Sequence, residues 1–114
     1  MEALFAKLKE YLQMEEDIPF EEFSAYYKQV LGEWQANYQN YDRETLLKAA
    51  AVATVAAANA IDRGKLKGAN SKKFKKMGDK LTFWAQAIAL RLDKEHGLNN
   101  NQVDQEIDKL LADV

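Results

Sequence analysis

At 114 residues, 47% apolar and 30% charged, the chain has material for one compact domain, residues 1–114, built around a single hydrophobic core. With no cysteine, disulfides, thiolate metal sites and thiol nucleophiles are excluded. The formal net charge of −2 conceals three blocks: Met1–Glu44 carries ten carboxylates against four cations, Lys48–Lys94 eleven cations against three carboxylates, and Glu95–Val114 five carboxylates against one lysine.

One proline, five glycines and apolar residues recurring every third or fourth position predict an all-α chain of about five helices, with no segment alternating like a strand. The first helix, about Glu2 to Met14, gathers Leu4, Phe5, Leu8, Tyr11 and Leu12 on one stripe. Its start interleaves acid, base and apolar residues, unlike a secretory leader. Asp17 is placed to cap the second helix, with Pro19 in the first turn and Glu21 and Glu22 at the positive end of the helix dipole. At about 100° per residue, Phe20, Phe23, Tyr26, Tyr27, Trp34, Tyr38 and Tyr41 share one face, a pattern that reads as core packing.

Asp42 is the expected cap of a third helix ending near Arg63, with Gly64 as its stop. Eight alanines lie between Ala49 and Ile61, so this helix is apolar nearly all round and belongs at the centre of the bundle. That uncharged run of 13 residues falls short of the roughly 18 to 20 strongly apolar residues of a membrane helix. The expected compartment is therefore the cytoplasm, without a membrane. Asn59 is the one amide in the run and needs a partner if buried, such as a tyrosine hydroxyl of the second helix.

Ser71 is the expected cap of a fourth helix that stops at Gly97. Phe74, Met77, Leu81, Trp84, Ala85, Ile88 and Leu92 form its core stripe, while Phe83, Ala87 and Leu90 fall on nearly the opposite side among Lys72, Lys76, Lys80 and Lys94, a candidate interface. The fifth helix, about Asn101 to Val114, offers Val103, Ile107, Leu110 and Leu111 and is expected to pack on the fourth, covering that second face or leaving it for another subunit.

Chemistry is sparse. Lys72, Lys73, Lys75 and Lys76 crowd the first turns of the fourth helix, where the dipole disfavours cations, so with Lys65, Lys67 and Ser71 they form a candidate anion-binding set. The plainer reading is a solvated charge run, or pairing with Glu15, Glu16, Asp17, Glu21 and Glu22. A nucleic-acid partner would be held by phosphate contacts alone, weakly and without sequence preference. No Walker-type loop or dinucleotide fingerprint is present, one histidine cannot build a multi-histidine metal centre, and no cofactor is implied.

Arg91-Leu-Asp-Lys-Glu-His96 resembles the Arg-x4-His motif of the HEPN family of all-helical nucleases. The resemblance spans six residues and would make Arg91 and His96 catalytic in a ribonuclease. Weighed together, the residues favour a non-catalytic protein-interaction module that self-associates, because convergent titratable groups for catalysis are lacking. A phosphate or nucleic-acid binder and a HEPN-like ribonuclease are the alternatives.

Overall fold

The computed structural model describes all residues, Met1–Val114. Five α-helices follow one another, α1 (Glu2–Leu12), α2 (Phe20–Asn37), α3 (Arg43–Lys65), α4 (Ser71–His96) and α5 (Asn100–Leu110), with a single 3₁₀ turn, Tyr38–Asn40, after α2. The all-α bundle expected from periodicity is the observed fold. Its core is continuous across all five helices and draws most heavily on α3, where Leu46, Leu47, Ala49 to Ala53, Ala56, Ala57 and Ala60 are buried. Although its uncharged run is only 13 residues, the whole 23-residue α3 is long and apolar enough to cross a membrane by length and composition, and 56% of its most apolar window is buried inside the bundle.

α3 begins as its sequence dictates. The Asp42 carboxylate accepts from the Thr45 N–H at 2.8 Å, Glu44 occupies the first turn, and Arg63 and Lys65 close the negative end of the dipole. It does not stop at Gly64. That glycine is buried within the last turn because α4 crosses there: a Cβ on Gly64 would lie 3.2 Å from the Lys75 backbone nitrogen. Further along the antiparallel pair, a Cβ on Gly78 would stand 2.9 Å from Ile61 Cγ1 and 3.4 Å from the Ile61 backbone nitrogen. Alanine on α3 facing glycine on α4 thus brings two helix backbones close together, as small side chains permit.

α2 packs in the opposite manner, standing off on its rings. Trp34 lies 5.3 Å from Trp84, Phe23 is 5.5 Å from Phe74, and Tyr26 is 5.4 Å from Tyr11, each between ring centroids. These separations suit tilted and edge-on aromatic pairs. The aromatic stripe is therefore core, although Phe20, Tyr27 and Tyr38 are only partly buried.

Two expected caps are corrected. Pro19, not Asp17, holds the N-cap position of α2 and makes no side-chain cap bond; Asp17 instead accepts from the Asn59 amide at 3.1 Å. This also supplies the partner of Asn59, a carboxylate rather than a tyrosine hydroxyl. Ser71 is the first residue of α4, and its hydroxyl donates back to the Gly64 carbonyl at 2.6 Å, tying the end of α3 to the start of α4. α4 ends at Gly97 as expected, in the left-handed region at φ +67°. α5 starts with a full capping box between Asn99 and Gln102 and ends at Leu110. It lies on α3 as well as on α4, and Lys9 of α1 reaches Asp113 beyond its end at 2.7 Å.

Candidate interaction surface

Burial of Phe74, Met77, Leu81, Ile88 and Leu92 turns the opposite side of α4 outward. There Phe83 is 63% exposed and Leu90 53%, while Ala87 between them is partly buried, its carbonyl accepting from the Tyr38 hydroxyl at 3.3 Å. α5 does not cover this stripe. Beside it runs a shallow cleft of about 350 Å³ between α3 and α4, lined on one side by Thr54, Ala57, Ala58 and Ile61 and on the other by Thr82, Ala85, Gln86 and Ala89. Cleft and stripe contain no charged residue, in a chain that is 30% charged. Protruding Phe83 and a small-residue hollow thus lie side by side, the hollow itself without charge, while Lys76, Asp79 and Lys80 flank Phe83 and Asp93 flanks Leu90.

The lysine segment separates into several roles. Lys65 lies 3.9 Å from Asp62, the stem of Lys75 covers Gly64, and the ammonium of Lys73 sits 5.5 Å above the Phe20 ring. No carboxylate lies within ion-pairing range of Lys67, Lys72, Lys73, Lys75, Lys76 or Lys80, so the segment does not pair with the acidic stretch of its own chain.

Arg91 is held at 15% side-chain exposure. Its guanidinium donates to the carbonyls of Tyr38 and, at 3.0 Å, Tyr41, stacks 4.9 Å from the Tyr38 ring, and is steadied by Glu95 at 3.0 Å. Those carbonyls flank the turn that ends α2, where helical partners run out, and Arg91 supplies the missing donors. His96 lies roughly 140° around α4 from Arg91 at the helical pitch. The Arg-x4-His spacing makes Arg91 a candidate catalyst; the geometry gives it a structural occupation and does not favour the ribonuclease reading.

Proton equilibria follow the same packing. Burial pushes the hydroxyls of Tyr26, Tyr27 and Tyr41 above the ordinary tyrosine range, with the Glu33 carboxylate reinforcing the effect at Tyr41. Tyr11 rises to about 12, through burial and then the nearby Glu22. The Tyr41 hydroxyl, donating to Glu33, holds that carboxyl below its usual range. For tyrosines whose folded pKa is raised, the neutral form is the stabilised one. Their contribution is complete below the ordinary pKa of 10.0 and is lost as pH climbs toward the folded values. On alkaline titration, phenolate absorbance and loss of helical circular dichroism should rise together above pH 10.0. Phenolate formation at ordinary pKa values with the helices intact would contradict this.

Comparison with protein-family models, with curated proteins and with solved structures gives no match for this chain.

Proposed function

We propose that this protein is a non-catalytic helical interaction module that associates with a second copy of itself through Phe83 and Leu90 of α4 and the uncharged cleft between α3 and α4. The observation that carries the reading is the exposure of Phe83 and Leu90, 63% and 53%, beside a cleft with no charged lining. Depletion of charge and a buried aromatic anchor characterise the centre of protein interfaces. A two-fold contact further requires that one chain present both halves of the fit. Phe83 offers the projecting half, and the alanines and threonines of the cleft offer the receiving half. A reducing compartment such as the cytoplasm suits a chain without cysteine.

Light scattering coupled to size exclusion tests this directly. The wild-type chain is expected to run as a dimer that persists at high salt, since apolar contact is little screened. Phe83→Asp and Leu90→Asp should each yield a folded monomer, because both positions are exposed in the single chain and neither charge disturbs the core. A wild-type monomer at all concentrations, or a dimer indifferent to both substitutions, would remove this face from consideration.

A further inference from the structure

Between α1, α2 and the middle of α3 lies a hollow of about 80 Å³ lined by ten residues, eight of them apolar. Leu8, Ile18, Phe23 and Ala56 of this lining are buried, while Leu12, 41% exposed, and Asp17 mark its open side. A sealed apolar cavity of about 150 Å³ holds benzene, so the smaller hollow takes the end of one aliphatic side chain and excludes a ring. Its border carries charge of a single sign. Asp17 accepts from Asn59, Glu22 stands beside the Tyr11 hydroxyl, and Glu15 and Glu16 precede Asp17 in the same exposed loop. None of these four carboxylates has a cation within ion-pairing range. Of the cations near the lining rings, Lys7 over Tyr11 is paired with Glu10 at 3.2 Å, and Arg63, 5.8 Å from Phe23, is stacked on Phe74 at 4.3 Å.

An apolar hollow with an unneutralised acidic border selects an aliphatic group flanked by cations. The chain itself carries one. Leu66, 68% exposed, is the first residue after α3 and stands between Lys65 and Lys67. Lys67 has no carboxylate partner, and Lys65 is held only loosely by Asp62, at 3.9 Å. The other exposed large apolar side chains lack this setting: Leu12 lines the hollow, Met14 precedes the acidic stretch, Ile61 lines the cleft between α3 and α4, Phe83 and Leu90 form the α4 contact, and Val114 follows Asp113. Leu66 lies about 10 Å beyond Asn59 along α3 and is no part of the lining, so its insertion is made by a second copy.

We infer that Leu66 of a second copy seats in this hollow, with its Lys65 and Lys67 meeting Asp17 and the neighbouring glutamates. One leucine and a few exposed charges make a weak, salt-sensitive contact. It uses none of the residues of the α4 contact and does not rest on it. The unpaired lysine and acidic stretches, which do not meet within one chain, meet here between two.

The test is sedimentation equilibrium of the full chain carrying Phe83→Asp, which takes the α4 contact out of play. At low salt this chain is expected to associate in a concentration-dependent way, and about tenfold more weakly at about 0.5 M salt. Adding Leu66→Asp or Leu12→Lys should abolish the association. Mixing those two variants should restore it, because one keeps the hollow and the other keeps the loop. Both positions are exposed in the single chain; should Leu12→Lys fail to fold, Glu16→Lys takes its place. No association at low salt, association indifferent to Leu66→Asp, or mixed variants that stay apart would overturn the inference. So would saturable amide shifts at Ile18 and Asn59 when isobutylammonium is added to a chain that does not self-associate, which would give the hollow to a small alkylammonium ion. A salt-resistant dimer in Phe83→Asp would count against the α4 contact alone, and the effect of Leu66→Asp on further association would still be read above it.

Discussion

Trp34→Ala should lower stability by about 3 to 5 kcal/mol, the usual cost of emptying a fully enclosed aromatic site. Trp34 is 0% exposed and meets Trp84 across the α2 to α4 interface, where α2 is held by rings rather than by close backbone approach. Neighbouring helices cannot collapse into the gap without carrying the whole aromatic row along. Against a total stability of roughly 5 to 15 kcal/mol, the variant should melt at least about 12 °C lower, if it folds at physiological temperature at all. Trp34→Phe isolates the cause. The indole Nε1 is buried without a hydrogen-bond partner, so phenylalanine removes volume but no bond, and the donor left without water disappears with it. Its cost should be well under half that of alanine. Urea denaturation of the three proteins measures the series, and equal losses in both variants would show that ring volume is not what Trp34 contributes.

Gly78→Leu is the second large effect, and its sign comes from excess volume rather than loss. The Cβ alone would sit 2.9 Å from Ile61 Cγ1 and 3.6 Å from the Ala60 Cβ, so a leucine has to push α3 and α4 apart along a seam of buried alanines. Overpacking of this kind costs about 2 to 3 kcal/mol. Gly78→Ala should be close to neutral by comparison. Ile61 is exposed and its side chain can turn away, and the gain of roughly 1 kcal/mol in helix propensity offsets the tight contact. Thermal melts of the pair decide the matter: a leucine variant as stable as the alanine one would mean that the seam is looser than its geometry indicates.

What could be read from the chain, and what could not, divides by the range of the interaction. The stripe from Phe20 to Trp34, the cap at Asp42 and the stop at Gly97 depend on residues within a turn or two of one another, and each is where periodicity or capping rules place it, whereas Tyr38 and Tyr41 lie beyond the end of α2 and reach the core from the turn that follows it. The exposed pair Phe83 and Leu90 was legible for the same reason. Asp17 and Ser71 carry the chemistry of caps, but each found a better partner from another element, Asn59 and the Gly64 carbonyl. Gly64 looks like a terminator until α4 crosses it. The capping box at Asn99 and Gln102 has a local signal too, an amide followed three residues later by another. Arg63 and Arg91 carried no local signal. Their roles come from rings and carbonyls far away in sequence, on helices whose relative placement periodicity does not specify.

The glycine and alanine seam also bears on the order in which the chain assembles. α3 and α4 are joined by only five residues, so closing that hairpin requires little loop entropy, and its contacts begin next to the turn, where Gly64 meets Lys75, and zip outward from there. Low separation of this kind goes with rapid folding. The hairpin is the natural nucleus, onto which the ring-bearing α2 and the short α1 and α5 dock afterwards. The leucine at position 78 would then act on the folding limb of a chevron plot, slowing folding while leaving unfolding almost untouched, whereas loss of the Trp34 ring would mainly hasten unfolding.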